Sequence, residues 1–169
     1  MPVTLRPLGA EQFPAWFERS RDEYVKDLVA LGEAPEDASR QAGEAMAHAF
    51  PSGTPAAGHA VLDVVDDAGS TVGYLWIGPD TSDDATAWGV WDIVIDADER
   101  GRGLGRAALL LGEEYARQRG ARTLGLSVFG FNTGARRLYE SLGYETTSVK
   151  MRKKLDRASG DLSPADDGS

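Results

Sequence analysis

A run of glycines and arginines at residues 100–106 carries the strongest chemical signal in the sequence. It reads Arg-Gly-Arg-Gly-Leu-Gly-Arg and lies between a β-rich stretch and a helical stretch. Glycines allow backbone N–H groups to turn toward a ligand, and the helix N-terminus adds partial positive charge. With the charges of the arginines, this pattern favours binding of a diphosphate or a similar polyanion. The alternative is a glycine-rich turn with a solvated basic face.

Two known kinds of phosphate-binding loop match this run poorly. The chain contains no G-x-x-x-x-G-K-[ST] string, which excludes a Walker A loop. Gly103-x-Gly105-x-x-Ala108 does match the dinucleotide-binding pattern G-x-G-x-x-A, but residues 96–100 separate it from the preceding strand. The next strand also lacks the ribose-binding carboxylate expected about 20 residues further on. A dinucleotide-binding fold is therefore disfavoured.

A second motif lies downstream, at residues 132–144, and reads N-T-G-A-R-R-L-Y-E-S-L-G-Y. It is similar to the N-x-x-A-x-x-x-Y-E-x-x-G-[FY] pattern of the GNAT N-acetyltransferase superfamily. Arg100-x-x-Gly103-x-Gly105 matches that family's Q/R-x-x-G-x-G/A signature, and the two motifs occur in the family's order and at its usual separation. The chain therefore resembles a small bacterial GNAT acetyltransferase, most clearly over residues 71–155.

The resemblance implies acetyl-CoA as the donor, an amine of a small molecule or peptide as the acceptor, and no metal. Main-chain groups of the strand before the loop would pair with the pantetheine arm and stabilise the oxyanion. Backbone N–H groups of the loop would hold the diphosphate. The implied cofactor-binding residues are Ile93, Val94, Ile95, Arg100, Gly101, Arg102, Gly103, Leu104, Gly105, Arg106, Asn132 and Tyr139. A second role open to Asn132 is to cap the helix that follows it.

The resemblance also implies the acid and base of the reaction. Tyr139 matches the family's general acid, which protonates the departing thiolate; the alternative is a core residue of its helix. Some GNAT enzymes carry a glutamate five residues before the motif asparagine, but this chain has Ser127 there, which is no base at neutral pH. Asp92, beside the expected reacting centre, is the substitute candidate for the base. A structural role for Asp92, a water chain and an acceptor that arrives neutral are the alternatives.

The formal net charge of −9 is unevenly distributed along the chain. Residues 100–154 carry +8, whereas residues 1–50 carry −4 and residues 51–99 carry −10. The family meets its acceptor with the N-terminal helices and central strands, so we expect a cationic amine held by carboxylates and aromatic faces. Solvated loop carboxylates are the alternative.

Two other function classes compete with the enzyme. One is a non-catalytic acyl-CoA-binding sensor, which would keep the loop and lose the chemistry. The other is a nucleic-acid-binding module on the basic segment, which would need a basic stripe interleaved with exposed aromatic residues. We expect neither a nucleic-acid nor a membrane partner, and the family resemblance allows a homodimer.

The periodicity of the sequence predicts the elements that position these residues. Strands are predicted at residues 3–6, 59–65, 71–77, 88–95 and 124–129, with one or two more over residues 146–154. Helices are predicted at about residues 11–31, 35–50, 103–119 and 133–142. This order indicates a mixed α/β (α+β) domain over residues 1–155. The resemblance implies the GNAT fold, a mixed, mostly antiparallel central sheet flanked by helices with a strand-loop-helix acetyl-CoA site.

Composition excludes several kinds of reaction intermediate, metal site and membrane segment. The chain has no cysteine, which excludes acyl-cysteine intermediates and thiolate metal sites, and only two histidines. It has no apolar run of the ~18 residues that a membrane span needs. The N-terminal stretch lacks the apolar core of a signal peptide, so we expect a cytoplasmic protein. Residues 156–169 are small, polar and acidic, and we expect a disordered tail there.

Overall fold

The computed structural model describes residues 2–155, in which five strands and four α-helices follow one another in the predicted order. Two short 3₁₀ turns, Pro51–Gly53 and Ala97–Glu99, complete these elements. The elements are β1 (Val3–Pro7), α1 (Phe13–Ala30), α2 (Pro35–Ala49), β2 (Ala60–Asp66), β3 (Thr71–Pro79), β4 (Ala87–Ile95), α3 (Leu104–Gln118), β5 (Thr123–Leu126) and α4 (Thr133–Ser141).

The strands form one sheet in the order β1-β2-β3-β4-β5. Strands β1 to β4 pair with one another antiparallel, and β5 runs parallel to β4. A register shift in the β3–β4 ladder places Trp76 opposite Asp92 and Ile77 opposite Val90, so Trp91 is an extra, bulged residue. The pairing of β4 with β5 covers only residues 87–90 of β4. Beyond the bulge, β4 therefore has an edge that β5 does not cover.

Helices cover both faces of the sheet. On one face, Leu104, Ala107 and Ala108 of α3 pack against valines of β1, β2 and β3. On the other face, Trp16 of α1 and Met46 of α2 pack against aromatic residues of β3. Burying one such large side chain stabilises the fold by about 1.5–3 kcal/mol. The two helical layers thus fix α1 and α3 on opposite sides of β4, with the bulge between them.

The structure differs from the predicted elements in the last third of the chain. The predicted strand at residues 124–129 is shorter and ends at Leu126, since residues 127–131 have no strand partner among residues 2–155. The strand predicted over residues 146–154 is wrong for this structure, in which residues 145–155 are exposed and make no backbone ladder with the described residues. The tail predicted at residues 156–169 lies outside the described residues. Across residues 2–155, every helix is too short or too polar to cross a bilayer.

Candidate active site

The glycine-arginine loop connects β4 to α3 through two residues with left-handed backbones. Gly101 has φ 82° and Gly103 has φ 74°, conformations that cost other L-residues about 1–2 kcal/mol. The space around each is open, since a Cβ built there would meet nothing within 4 Å. Gly103 is also the N-cap of α3, where no side chain caps the helix. The first N–H groups of α3 are thus left without a side-chain partner, as an anionic diphosphate requires.

The three arginines of the loop have different partners. Arg100 donates from Nε to the carbonyl oxygen of Ile95 at 3.1 Å, which fastens the loop to the end of β4. Arg106 donates to Ser141 Oγ at 3.0 Å and connects α3 to α4. Arg102 forms an exposed ion pair with Glu99. Because exposed pairs contribute about 0–1 kcal/mol, Arg102 is the arginine most easily released to a phosphate.

The free edge of β4 lies next to this loop. Ile93 and Ile95 are half-buried and pack toward α3, and Ile93 also borders the core cluster that includes Tyr139 of α4. A Cβ added to Gly105 would lie 3.6 Å from Ile95 Cγ1 and 3.7 Å from Leu138 Cδ2, which is ordinary contact. The structure therefore brings the predicted residues of β4, the loop, α3 and α4 together. Their roles in binding acetyl-CoA stay predictions.

The side chain of Tyr139 is half-buried, and its hydroxyl has no hydrogen-bond partner within residues 2–155. Burial raises the pKa of Tyr139, and the negative charge of Asp92 raises it further. The hydroxyl therefore stays protonated at neutral pH and available to donate. The ring of Tyr144 contacts the ring of Tyr139 edge-on, with the two centroids 6.0 Å apart.

Asn132 lies at the start of α4, and its Oδ1 accepts a hydrogen bond from the Ala135 N–H at 3.2 Å. The capping role is confirmed. The cofactor contact of Asn132 stays a prediction.

Asp92 has two hydroxyl partners from distant parts of the chain. Its Oδ2 accepts hydrogen bonds from Tyr74 OH at 2.7 Å and from Ser20 Oγ at 3.1 Å. Burial raises the pKa of Asp92, although both hydroxyls act in the opposite direction. Burial and the charge of Asp92 raise the pKa of Tyr74, so that residue remains a donor at neutral pH. The geometry suits a general base that a fixed hydrogen-bond frame holds in place.

Ser20 and Tyr74 are hydrogen-bond partners of Asp92 that the sequence did not predict. One signal was available: Asp92 is a carboxylate in an otherwise apolar strand, where a buried charge needs hydrogen-bond donors. The sequence does not indicate which donors these are.

Two further carboxylates of α1 face Asp92. Ser20, Glu23 and Asp27 are spaced i, i+3 and i+7 and therefore lie on one face of the helix. The pKa of Asp27 is raised by burial and then by the negative charges of Asp92 and Glu23. These carboxylates are therefore close enough to shift one another's pKa values. Within residues 2–155, however, no group of His, Asp or Glu side chains is arranged to hold a metal ion. The expectation of no metal remains a prediction.

Most of the aromatic residues expected near the acceptor belong to the core. Trp16, Trp76 and Trp88 are only 5–6% exposed. Trp91, the bulged residue of β4, is 39% exposed and stacks on Trp76 with centroids 5.6 Å apart. It is the one tryptophan in the described part of the chain with substantial accessible surface, and it precedes Asp92.

Several loop carboxylates already have hydrogen-bond or ion-pair partners in the structure. Asp80 and Asp84 accept hydrogen bonds from main-chain N–H groups of their own loop, and Asp96 pairs with Arg19 at 2.6 Å. The alternative of solvated loop charges therefore describes these residues. The acidic character near Asp92 comes from α1.

Comparison with known proteins identifies the family and the fold. Residues 13–144 match the model of the acetyltransferase (GNAT) family. The uncharacterized N-acetyltransferase YdgE of Bacillus subtilis is 30% identical over 156 residues, which is 92% of this chain and 99% of that protein. A mycothiol acetyltransferase of Thermobispora bispora is 39% identical over 95 residues, which is 52% of this chain and 31% of that protein.

One solved structure shows the same architecture over nearly the whole chain. The crystal structure of the Bacillus subtilis putative acetyltransferase YycN superposes with a TM-score of 0.84 at 29% identity, covering 92% of this chain and 99% of that one. The expected fold class, a mixed and mostly antiparallel sheet flanked by helices, is confirmed.

Proposed function

Because the chain belongs to the acetyltransferase (GNAT) family and is an acetyl-CoA-dependent N-acetyltransferase, we propose that it acetylates a cationic amine by direct attack. The observation that carries this proposal is the position of Asp92. Asp92 lies beyond the bulge of β4, faces carboxylates of α1, and is close enough to raise the pKa of Tyr139. A base, an acid and an acidic acceptor surface would thus meet at the free edge of β4.

The donor end of the site comprises the free edge of β4 and the loop. Acetyl-CoA, when bound, supplies an acetyl group activated as a thioester. The backbone N–H groups at the start of α3 and the side chain of Arg102 would hold its diphosphate. Main-chain groups of residues 93–95 would orient the pantetheine arm and face the developing oxyanion, a contribution of about 3–4 kcal/mol in other enzymes. The open space at Gly101 and Gly103 supports this assignment.

Asp92 and Tyr139 would move the protons. Asp92 is the base that takes a proton from the acceptor ammonium or from the attacking amine, because its raised pKa is closer to neutrality than that of an ordinary aspartate. Tyr139 is the acid that donates to the leaving sulfur, since its unpaired hydroxyl remains protonated. The chain has no cysteine, which excludes an acyl-cysteine intermediate, and we expect the acetyl group to pass directly between the two bound substrates.

The acceptor class follows from the charges on α1. Asp27 forms no ion pair with another described residue, and the only one of Glu23 is a 3.7 Å surface pair with Lys26. Burial raises the pKa of Asp27, and repulsion from Asp92 and Glu23 raises it further. A bound cation would relieve that repulsion. Trp91, which precedes Asp92 in β4, offers an accessible aromatic face. We therefore expect an acceptor that carries a second positive charge besides the reacting amine.

An acceptor screen tests this function. Free CoA release is measured with polyamines, aminoglycosides, amino acids and peptide N-termini, each dication paired with a monoamine of equal chain length. The expected result is that dications are acetylated with kcat/KM at least about tenfold above their monoamine partners. Turnover of neutral or anionic amines alone would contradict the acceptor class while leaving the acetyltransferase activity in place.

Matched variants test whether Asp27 recognises the second positive charge of the acceptor. Asp27→Asn should lower kcat/KM for a diamine more than for its monoamine partner, because one carboxylate that faces the second charge is lost. Asp37→Asn is the control, since Asp37 lies on the exposed start of α2 and pairs with Arg40. Equal losses for diamine and monoamine in Asp27→Asn would contradict recognition of the second charge.

A further inference from the structure

Three aromatic rings lie against one another at the bulge of β4. Trp91 stacks on Trp76 with centroids 5.6 Å apart, and the ring of His59 lies 5.2 Å from that of Trp91 and 6.2 Å from that of Trp76. Trp76 is buried and packs on Phe50 at 4.7 Å between centroids, whereas Trp91 keeps accessible surface. Trp91 is therefore the outer ring of a stack whose inner ring belongs to the core.

Hydrogen bonds hold both the imidazole and the outer indole. His59 Nδ1 accepts a hydrogen bond from Trp76 Nε1 at 3.1 Å, so that nitrogen carries no proton and the neutral ring holds its proton on Nε2. Trp91 Nε1 donates to the Pro79 carbonyl oxygen at 3.3 Å. Burial lowers the pKa of His59, which keeps the ring at neutral pH in the form that accepts from Trp76.

Two glycines leave room for these rings. Gly78 of β3 is the register partner of Gly89 of β4, so neither strand has a side chain at this position. A Cβ at Gly78 would lie 2.6 Å from His59 Cγ and 2.8 Å from His59 Nδ1, closer than real contacts allow. A Cβ at Gly89 would lie 3.7 Å from Trp91 Nε1. The imidazole thus lies directly on the backbone of β3, in a space that only glycine provides.

The stack lies next to the proposed base. Trp76 is the register partner of Asp92, and Trp91 is the bulged residue that precedes Asp92. The bulge therefore brings an accessible indole and the carboxylate to one short segment of β4. An indole in this position would contact the part of the acceptor that follows its reacting nitrogen, where a cation or an alkyl chain is favoured.

We propose that His59 is a positioning residue for acceptor recognition, which holds the ring of Trp91 in one orientation as a wall of the acceptor site beside Asp92. The imidazole acts in two ways, because it fixes Trp76 by a hydrogen bond and lies against Trp91 itself. A fixed indole binds the acceptor with less loss of conformational freedom than a mobile one. This inference rests on the proposed function, which places the acceptor beside Asp92.

Steady-state kinetics with the best amine of the screen tests the proposal through KM and kcat separately. His59→Leu removes the accepting nitrogen, so the KM for the amine should rise about tenfold while kcat stays within about threefold of wild type. His59→Asn should restore most of the wild-type KM, because its amide oxygen can accept from Trp76 Nε1. His48→Leu changes the other histidine of the chain, which is exposed on α2, and should keep the wild-type KM. A His59→Leu enzyme with the KM of wild type would overturn the proposal.

A double-mutant cycle separates the positioning of Trp91 from a general effect on the fold. Trp91→Ala should raise the KM for the amine at least as much as His59→Leu does. The double variant should be no worse than Trp91→Ala alone, because the ring that His59 positions is then already absent. Additive increases in KM would mean that His59 acts independently of Trp91, which contradicts the proposed role.

Fluorine NMR of the protein labelled with fluorotryptophan gives a readout that needs no turnover. The resonance of Trp91 is identified by its absence in Trp91→Phe. It should shift or broaden in His59→Leu and stay unchanged in His48→Leu, and an unchanged line in His59→Leu would refute the positioning. If wild type acetylated no cationic amine but the Trp91 line changed as expected, the proposed acceptor class would fail while the positioning of Trp91 by His59 would be supported.

Discussion

The proposed donor half and the proposed acceptor half of the site are built in different ways. The donor half is a contiguous backbone device, in which Gly101, Gly103 and the first turn of α3 present N–H groups within a few residues of one another. The acceptor half consists of side chains from three distant segments, with Ser20 lying 72 residues from Asp92 and Tyr74 lying 18 residues from it.

The two constructions predict different effects of substitution on donor binding and on acceptor specificity. A site built from main-chain N–H groups depends on φ angles and on a helix end, so we expect it to tolerate changes of the surrounding side chains. A side-chain cluster depends on the packing of α1 against β3 and β4, so a single substitution on α1 changes its charge. We therefore expect substitutions in the donor half to alter acetyl-CoA affinity, and substitutions in the acceptor half to alter turnover and acceptor choice.

The largest expected effect comes from removing the base. Asp92→Asn keeps the shape and the two hydroxyl partners but cannot take up a proton, so kcat should fall by about 10³-fold. The measurement is steady-state CoA release with the best amine of the screen. Asp96→Asn, in an exposed ion pair with Arg19, makes the same chemical change and should stay within about twofold of wild type. An Asp92→Asn enzyme as fast as Asp96→Asn would exclude Asp92 as the base.

The second largest expected effect comes from removing the hydroxyl of Tyr139, with Tyr144 as the control. Tyr139→Phe removes the unpaired hydroxyl and should lower kcat by about 10²-fold, because the leaving thiolate then lacks its proton donor. Tyr144→Phe removes a hydroxyl from the contacting ring and should retain most activity. If the two variants lost turnover equally, the effect would belong to the packing of α4 and not to proton donation.

A smaller effect tests the backbone of the donor half. Gly103→Ala should cost about 1–2 kcal/mol of stability because of its positive φ, and it should weaken acetyl-CoA binding about tenfold by displacing the N–H groups of α3. Gly120→Ala, at φ 93° after the other end of α3, should lower the melting temperature similarly. Calorimetry with acetyl-CoA distinguishes the two, and equal affinity in both variants would argue against a diphosphate at this loop.

The smallest effect is on stability. Because burial raises the pKa of Asp92 above its unfolded value near 3.9, the folded state binds the proton more tightly than the unfolded state. The contribution of Asp92 is therefore fully present below the unfolded pKa and is lost as pH rises through the folded pKa. Urea unfolding should show the free energy of unfolding of wild type falling relative to that of Asp92→Asn as the pH rises from 4 to 8. A constant difference would mean that the pKa of Asp92 does not change on folding.

Short sequence motifs predicted the donor half. The contacts of the acceptor half join residues far apart in the sequence, and the sequence did not predict them. The loop, the N-cap at Asn132 and the helix that carries Tyr139 are encoded within short segments, so both motifs identified them. Asp92 was placed from its strand, but its partners Ser20 and Tyr74 are brought to it only by tertiary packing. The bulge at Trp91 likewise arises from the register of two strands, which sequence spacing does not encode.

Residues 146–154 show a limit of another kind. The alternation of side chains there predicted a strand, but within the described residues this segment forms no backbone ladder, although one edge of β5 is unpaired. The strand prediction is therefore wrong for this structure. The extent of the domain, residues 1–155, stays a prediction.

The pH dependence of kcat/KM for wild type and Asp92→Asn tests directly whether Asp92 is the base at the free edge of β4. For wild type, the rate should rise with pH through an acid limb whose pKa lies above the ordinary aspartate value of about 3.9, because the carboxylate must be ionised to accept a proton. In Asp92→Asn the same limb should be absent and the remaining rate should be low. An identical acid limb in both proteins, at comparable rates, would contradict the account.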